Sequence, residues 1–194
     1  MTFEIYRNRV NNFLNTLLTG QNALNESMRY SVLAGGKRFR PILTYTTANL
    51  FDVELSQVDA CSAAVELIHI YSLIHDDLPA MDDDDMRHNQ PSSHKIFGEA
   101  QAILVGDGLQ ALAFKVLAGA ENIKPSTRIK LLNLLARSAF EMADGQSIDL
   151  SVVSKNVDVE LLNKLNLKKT GALLGCAVKF GALLKPQIDK KDID

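Results

Sequence analysis

The sequence predicts an all-α protein, and three features of its 194 residues carry that reading. Apolar residues recur at three- and four-residue spacing, as in Phe13, Leu14, Leu17 and Leu18; alternating polar and β-branched apolar runs are almost absent; and there are five prolines. With 46% hydrophobic and 23% charged residues the composition is ordinary for a globular chain, and the length suffices for one domain with a real core. Helices are expected at about 3–18, 22–34, 39–51, 56–79, 98–118, 126–145 and 158–183. The first is amphipathic. The second closes at Gly35-Gly36, and the third opens beyond the basic turn that follows. Ser56 is the expected N-cap of the fourth helix, and Ser126, after Pro125, that of the sixth. The fourth, fifth and last helices are apolar on several faces over 61–73, 100–117 and 171–184, so each is surrounded by neighbours or lines an apolar cavity. Asp144-Gly145-Gln146 with Asp149 reads as an interruption of the sixth. No repeat or linker divides the chain, so 1–194 is one domain, with Lys185–Asp194 a frayed polar tail.

A net charge of −2 offers no footprint for nucleic acid. Cys61 and Cys176 sit singly in apolar runs, which excludes a disulfide framework and a paired-cysteine zinc site. Residues 1–10 lack the pattern of a signal peptide, and charges interrupt later apolar runs before the roughly 20 residues a bilayer span needs. A cytoplasmic protein without stable membrane insertion is expected.

The charge is unevenly distributed. Six of the 23 acidic residues, Asp76, Asp77, Asp82, Asp83, Asp84 and Asp85, fall within ten positions at the end of the apolar fourth helix. Carboxylates there oppose the helix dipole and raise one another's pKa. A solvated acidic loop tolerates both costs, but Asp76 and Asp77 continue the helix itself. An oxygen-only donor set suits a hard cation, and Mg2+ typically bridges one or two carboxylates to phosphate oxygens. No EF-hand spacing is present. A diphosphate bound this way needs cations. Gly35-Gly36-Lys37-Arg38-Phe39-Arg40-Pro41 supplies them at a helix N-terminus, with glycines that free the backbone. His69 lies two helical turns before Asp76, on one face with Ser72 between; a lone histidine there is as readily a core residue as a ligand. Lys168-Lys169-Thr170-Gly171 opens the last apolar stretch and, alone, reads as a surface feature.

Gly35–Pro41, the Asp-Asp-x-x-x-x-Asp of Asp76, Asp77 and Asp82 followed by Arg87, Gly145-Gln146, and Lys169-Thr170-Gly171 occur in an order that resembles the trans-isoprenyl diphosphate synthases, above all their farnesyl-forming bacterial branch. The resemblance spans about residues 28–184. It implies the isoprenoid synthase fold, helices around a central apolar cavity, and a short-chain prenyltransferase that condenses isopentenyl diphosphate with dimethylallyl or geranyl diphosphate to give farnesyl diphosphate. It implies Mg2+ on Asp76 and Asp82, with Asp77. Arg87, Lys169 and Thr170 match allylic diphosphate contacts, with Lys169 among the catalytic residues beside the three aspartates. Lys37, Arg38, Arg40 and His69 match the isopentenyl diphosphate site, His88 stands where the family has a second arginine, and Gln146 is a pocket residue. Tyr71, with Ser72, matches the floor that limits product length and favours a short product such as C15, with the choice among C10, C15 and C20 left open. A homodimer is typical.

The family also carries a later second aspartate-rich motif. None follows Asp149 here apart from Asp189 and Asp192 in the polar tail, so an incomplete domain that lacks its C-terminal helices, and is inactive alone, is expected. A non-catalytic subunit or remnant is the alternative. An HD-type metal phosphohydrolase, suggested by His75-Asp76, lacks the required upstream histidine.

Overall fold

The structure, a computed structural model, describes residues 2–185. The polar tail with Asp189 and Asp192 lies outside them. Helix α1 (Thr2–Leu17) buries Tyr6, Val10 and Leu14, one residue per turn, against α3 (Phe39–Leu50) and α4 (Leu55–Asp76). Arg9 clamps this contact by donating twice to Asp59 of α4, at 2.6 and 2.7 Å. Helix α2 (Ala23–Leu33) starts at Asn22, whose side chain accepts from the Asn25 amide.

Helix α4 is the axis of the molecule. Thirteen of its 22 residues are buried, on all faces, because α1, α3, α6 (Glu99–Ala118) and α9 (Ala172–Leu183) pack around it. Small residues permit the close crossings. A Cβ on Gly181 of α9 would stand 2.5 Å from the Ala48 amide nitrogen of α3, and one on Gly106 of α6 would meet the His75 ring. Among the described residues α6 alone is long and apolar enough to cross a membrane. In this fold it lies against α4 and α2, with Ala102, Val105, Leu109, Ala113 and Leu117 in the core.

The all-α expectation holds, with local corrections. The fourth helix stops at Asp76, three residues early, because Asp77 ends the regular hydrogen bonding and Pro79 cannot continue it. The following stretch, expected to be a plain connection, forms a two-residue hairpin, β1 (Met86–Arg87) on β2 (Gln90–Pro91), then the short α5 (Ser93–Phe97). His88 and Asn89 both have positive φ, 51° and 63°, as a tight hairpin turn demands. Neither expected serine caps its helix. Glu54 and Lys124 hold the cap positions, and Pro125 sits at the first helical residue, where its missing N–H costs nothing.

Helix α7 (Pro125–Val152) runs straight through 144–149 instead of breaking there. The predicted helix 158–183 is divided: α8 (Val159–Asn166), a π turn over Leu167–Gly171, then α9. The two differences share a cause. Gly145 keeps α7 helical while letting the π turn lie directly on it, with Lys169 backbone atoms filling the space of a Cβ.

Candidate active site

The C-terminal half of α4 and the C-terminal third of α7 line a cleft of about 430 Å³. From α4 it is lined by His69, Tyr71, Ser72 and Asp76; from α7 by Met142, Gln146 and Leu150; from the π turn by Lys169 and Thr170; and from α3 by Arg40. A pocket of about 40 Å³ adjoins it, sharing His69 and Leu73, and is walled by Arg38, Arg87 and His88. Five segments distant in sequence thus converge on one groove.

Asp76 is the acidic pole of the cleft. Its carboxyl is pushed up to about 6, chiefly by burial; Lys169 pulls the other way, and Asp82 and Asp77 raise it further. The loop beyond α4 folds back so that the Asp82 amide donates to the Asp76 carbonyl at 2.9 Å, which brings the two predicted metal-binding residues together. Asp77 faces elsewhere. It is 2% exposed, absent from the cleft lining, and engaged by Arg87, whose Nε donates at 3.0 Å; Arg87 also reaches Asp84 at 2.9 Å. Burial raises the Asp77 carboxyl while Arg87 opposes that.

The cationic side is divided as well. Arg40 lines the cleft with its Nε buried and without a partner among the described residues; burial lowers its pKa, partly offset by Glu66. Arg38, predicted as a diphosphate donor, is 3% exposed and gives its guanidinium to Glu66 (2.9 Å), Asn11 (2.8 Å) and the Val32 carbonyl (2.5 Å). Lys37 and His88 are exposed. A Cβ on Gly36 would lie 3.7 Å from the His88 ring, so the hairpin tip rests on the glycine turn. His69 is held down to about 3 by burial and by the field of Arg40, His88, Arg38 and Arg87, so it is neutral near pH 7.

Lys169 donates to Asp149, one turn beyond Gln146 on α7. Both amide atoms of Gln146 are buried without partners among the described residues, a costly arrangement that a ligand in the cleft would relieve. Tyr71 is buried, edge-on to His75 with ring centroids 5.8 Å apart, and the Ser72 hydroxyl is turned back onto the His69 carbonyl at 2.8 Å. Beside the cleft, Asp83, Asp85 and His94 each bring a ligand atom within 4.8 Å of the others, although Asp85 also accepts from Lys95 at 2.7 Å. The sequence marks neither His94 nor Glu66 as a site residue, and it offers Asp149 only as part of a helix interruption. Glu66, a lone acid within the apolar stretch of α4, was the available signal.

An all-α chain that gathers carboxylates and cationic side chains around one apolar cleft on a buried central helix belongs to the isoprenoid synthase class of fold. The family model described as polyprenyl synthetase matches residues 21–194. The chain is 49% identical over 162 residues to the farnesyl diphosphate synthase of Escherichia coli (strain K12), covering 81% of this chain and 54% of that one. It is 42% identical over 192 residues to the farnesyl diphosphate synthase of Haemophilus influenzae, covering 96% and 65%. Among solved structures, an FPP/GFPP synthase from Zymomonas mobilis superimposes with a TM-score of 0.94 at 37% identity, covering 99% of this chain and 72% of that one. A geranyltransferase from Legionella pneumophila gives 0.93 at 38%, covering 97% and 70%. The chain belongs to the polyprenyl synthetase family, and it spans between about half and two thirds of the length of the two curated relatives described.

Proposed function

We propose that this chain carries the substrate-binding cleft of a short-chain prenyltransferase, one that joins isopentenyl diphosphate to dimethylallyl or geranyl diphosphate to make farnesyl diphosphate. The observation that carries the reading is the cleft in which Asp76, Lys169 and Thr170 meet Arg40 and His69, with Tyr71, Leu73, Met81, Met142 and Leu150 as its apolar lining.

Asp76 and Asp82 offer oxygen donors only, and the Asp76 carboxyl, raised chiefly by burial and further by Asp82 and Asp77, is one whose charge a cation would stabilise, which fits Mg2+ better than a softer metal. Bound there, Mg2+ supplies Lewis acidity toward a diphosphate oxygen and so eases loss of diphosphate from the allylic carbon. The chain's own residues do the rest. Lys169 and Thr170 hold the allylic diphosphate from the facing side, and Arg87, tied to the acidic loop through Asp77 and Asp84, steadies that loop. Lys37, Arg40 and neutral His69 bind isopentenyl diphosphate, with the Gln146 amide completing the pocket. Met81, Tyr71, Met142 and Leu150 keep water from the allylic cation while the isopentenyl double bond attacks it and a proton is lost to the departing diphosphate.

The reading extends to a homodimer in the cytoplasm. Its test is incubation of the complete gene product with geranyl and isopentenyl diphosphates and Mg2+, followed by chromatography of the prenyl products. Farnesyl product from the wild type and at least 100-fold less from Asp76→Ala is expected; no product, or no difference between the two, overturns the reading.

A further inference from the structure

Arg38 occupies an unusual place. It is the residue before α3, has a left-handed φ of 51°, and follows two glycines at 100° and 117°. A non-glycine residue there costs about 1 kcal/mol, so something must hold it. Asn11 and the Val32 carbonyl accept from its guanidinium, and the charged partner is Glu66: its Oε1 accepts from Arg38 Nη1 at 2.9 Å, and both side chains are nearly inaccessible, at 5% and 2%. Glu66 stands one turn before His69 on α4, the most enclosed helix, so the pair ties the basic turn to the molecule's rigid axis. Arg40 follows Arg38 by two residues, at the start of α3, and its orientation into the cleft depends on how that turn is set. The charges are also matched unequally. Arg38 has a direct carboxylate partner, whereas Arg40 feels Glu66 only at a distance and keeps its buried Nε unpartnered.

We propose that Glu66 is a positioning residue for diphosphate recognition: by locking the left-handed Arg38 it sets the Gly35–Pro41 turn so that Arg40 faces the cleft with no direct carboxylate partner among the described residues. The inference rests on the proposed reading of Arg40 as an isopentenyl diphosphate contact. Glu66 does not touch the ligand; it acts through Arg38.

The sign of the effect separates this role from plain electrostatics. Removing a negative charge beside an anion site should tighten anion binding. Losing the lock should weaken it. Titration calorimetry with isopentenyl diphosphate is therefore run on the wild-type chain, Glu66→Gln, Glu66→Asp, Arg40→Ala and the double variant Glu66→Gln/Arg40→Ala. The expected result is at least a tenfold rise in Kd for Glu66→Gln. Glu66→Asp keeps the charge but shortens its reach, and it should weaken binding too. On the Arg40→Ala background Glu66→Gln should change Kd by less than twofold. Unchanged or tighter binding by Glu66→Gln, or an undiminished effect without Arg40, overturns the inference. If Glu66→Gln does not fold, Asn11→Ala, which removes another Arg38 acceptor, must show the same Arg40-dependent loss, and its absence is equally decisive. A wild-type chain that fails to bind isopentenyl diphosphate sinks the underlying functional reading instead.

Discussion

The backbone of Lys169 lies where a side chain on Gly145 would have to go: a Cβ at position 145 would stand 2.2 Å from the Lys169 amide nitrogen and 2.6 Å from its Cα. Neither partner can yield cheaply, since one is in a long helix and the other in a π turn that carries two cleft residues. Gly145→Ala should therefore destabilise the protein by about 1–3 kcal/mol in chemical denaturation, the cost of overpacking. It should also weaken diphosphate binding by displacing Lys169 and Thr170. Gly175→Ala in α9 is the control, with open space around its would-be Cβ. It should stabilise, by up to about 1 kcal/mol, through helix propensity.

Asp77 and Arg87 hold the acidic loop and the hairpin to the end of α4. Asp77 is almost wholly buried, whereas Arg87 keeps about a third of its side chain in water, so breaking the pair should cost less than for a fully enclosed one. Asp77→Ala is expected to lose about 2 kcal/mol and to speed proteolysis within residues 82–91. Proteolysis and stability both at wild-type levels would show that the loop is held by other means.

How far such features could be read from sequence depended on whether they were local. The helical period of α1 and the apolar breadth of α4 are written in nearby residues, so those helices were legible. Asp76 and Lys169 were legible as types of chemistry, but their meeting needs α7 and the π turn to close on α4. Arg38 was misjudged because a run of basic residues does not say which one turns inward; that is decided by Glu66, 28 residues later. The tight hairpin was hidden because His88-Asn89 is a weaker positive-φ signal than Asn-Gly. The π turn was hidden because the surface it lies on, at Gly145, belongs to another helix.

The raised Asp76 carboxyl fixes a pH dependence. Its folded-state pKa, about 6, exceeds the ordinary value of 3.8, so the folded state binds this proton more tightly than the unfolded chain does. Stability therefore falls as pH rises from about 4 through about 6, and the penalty persists above. In metal-free buffer Asp76→Asn should have a higher Tm than the wild type at pH 7.5, with the gap closing on acidification and absent near pH 4. A gap independent of pH would mean that burial of the charge is not its source.

His69 has the opposite sign. Its folded-state pKa, about 3, lies below the ordinary 6.5, so the unfolded chain takes up the proton first on acidification. The His69 contribution to wild-type stability should therefore be lost as pH falls from about 6.5 toward 3, opposite in sign to that of Asp76 over the shared range. His69→Gln, whatever its cost at pH 8, should lack this component, so the Tm difference between wild type and variant should shift in the variant's favour below pH 6.5. Parallel curves would show that the histidine is not held neutral by burial and the surrounding cationic groups.

On the proposed reading of the cleft, Tyr71 sets how long a chain it admits. It stands five residues before Asp76 on α4, about 7.5 Å further down the helix at 1.5 Å per residue, and its buried ring lines the same cleft as the carboxylate. A prenyl tail that grows away from the diphosphate pole must meet a wall, and an aromatic ring braced edge-on by His75 is a stiff one. Tyr71→Ala removes the wall but leaves Asp76, Lys169 and Arg40 untouched, so diphosphate affinity should stay within about threefold of wild type. With the complete gene product, geranyl diphosphate and excess isopentenyl diphosphate, chromatography should then show a large share of product longer than C15. An unchanged length distribution, at comparable turnover, would move the limit to another residue of the cleft.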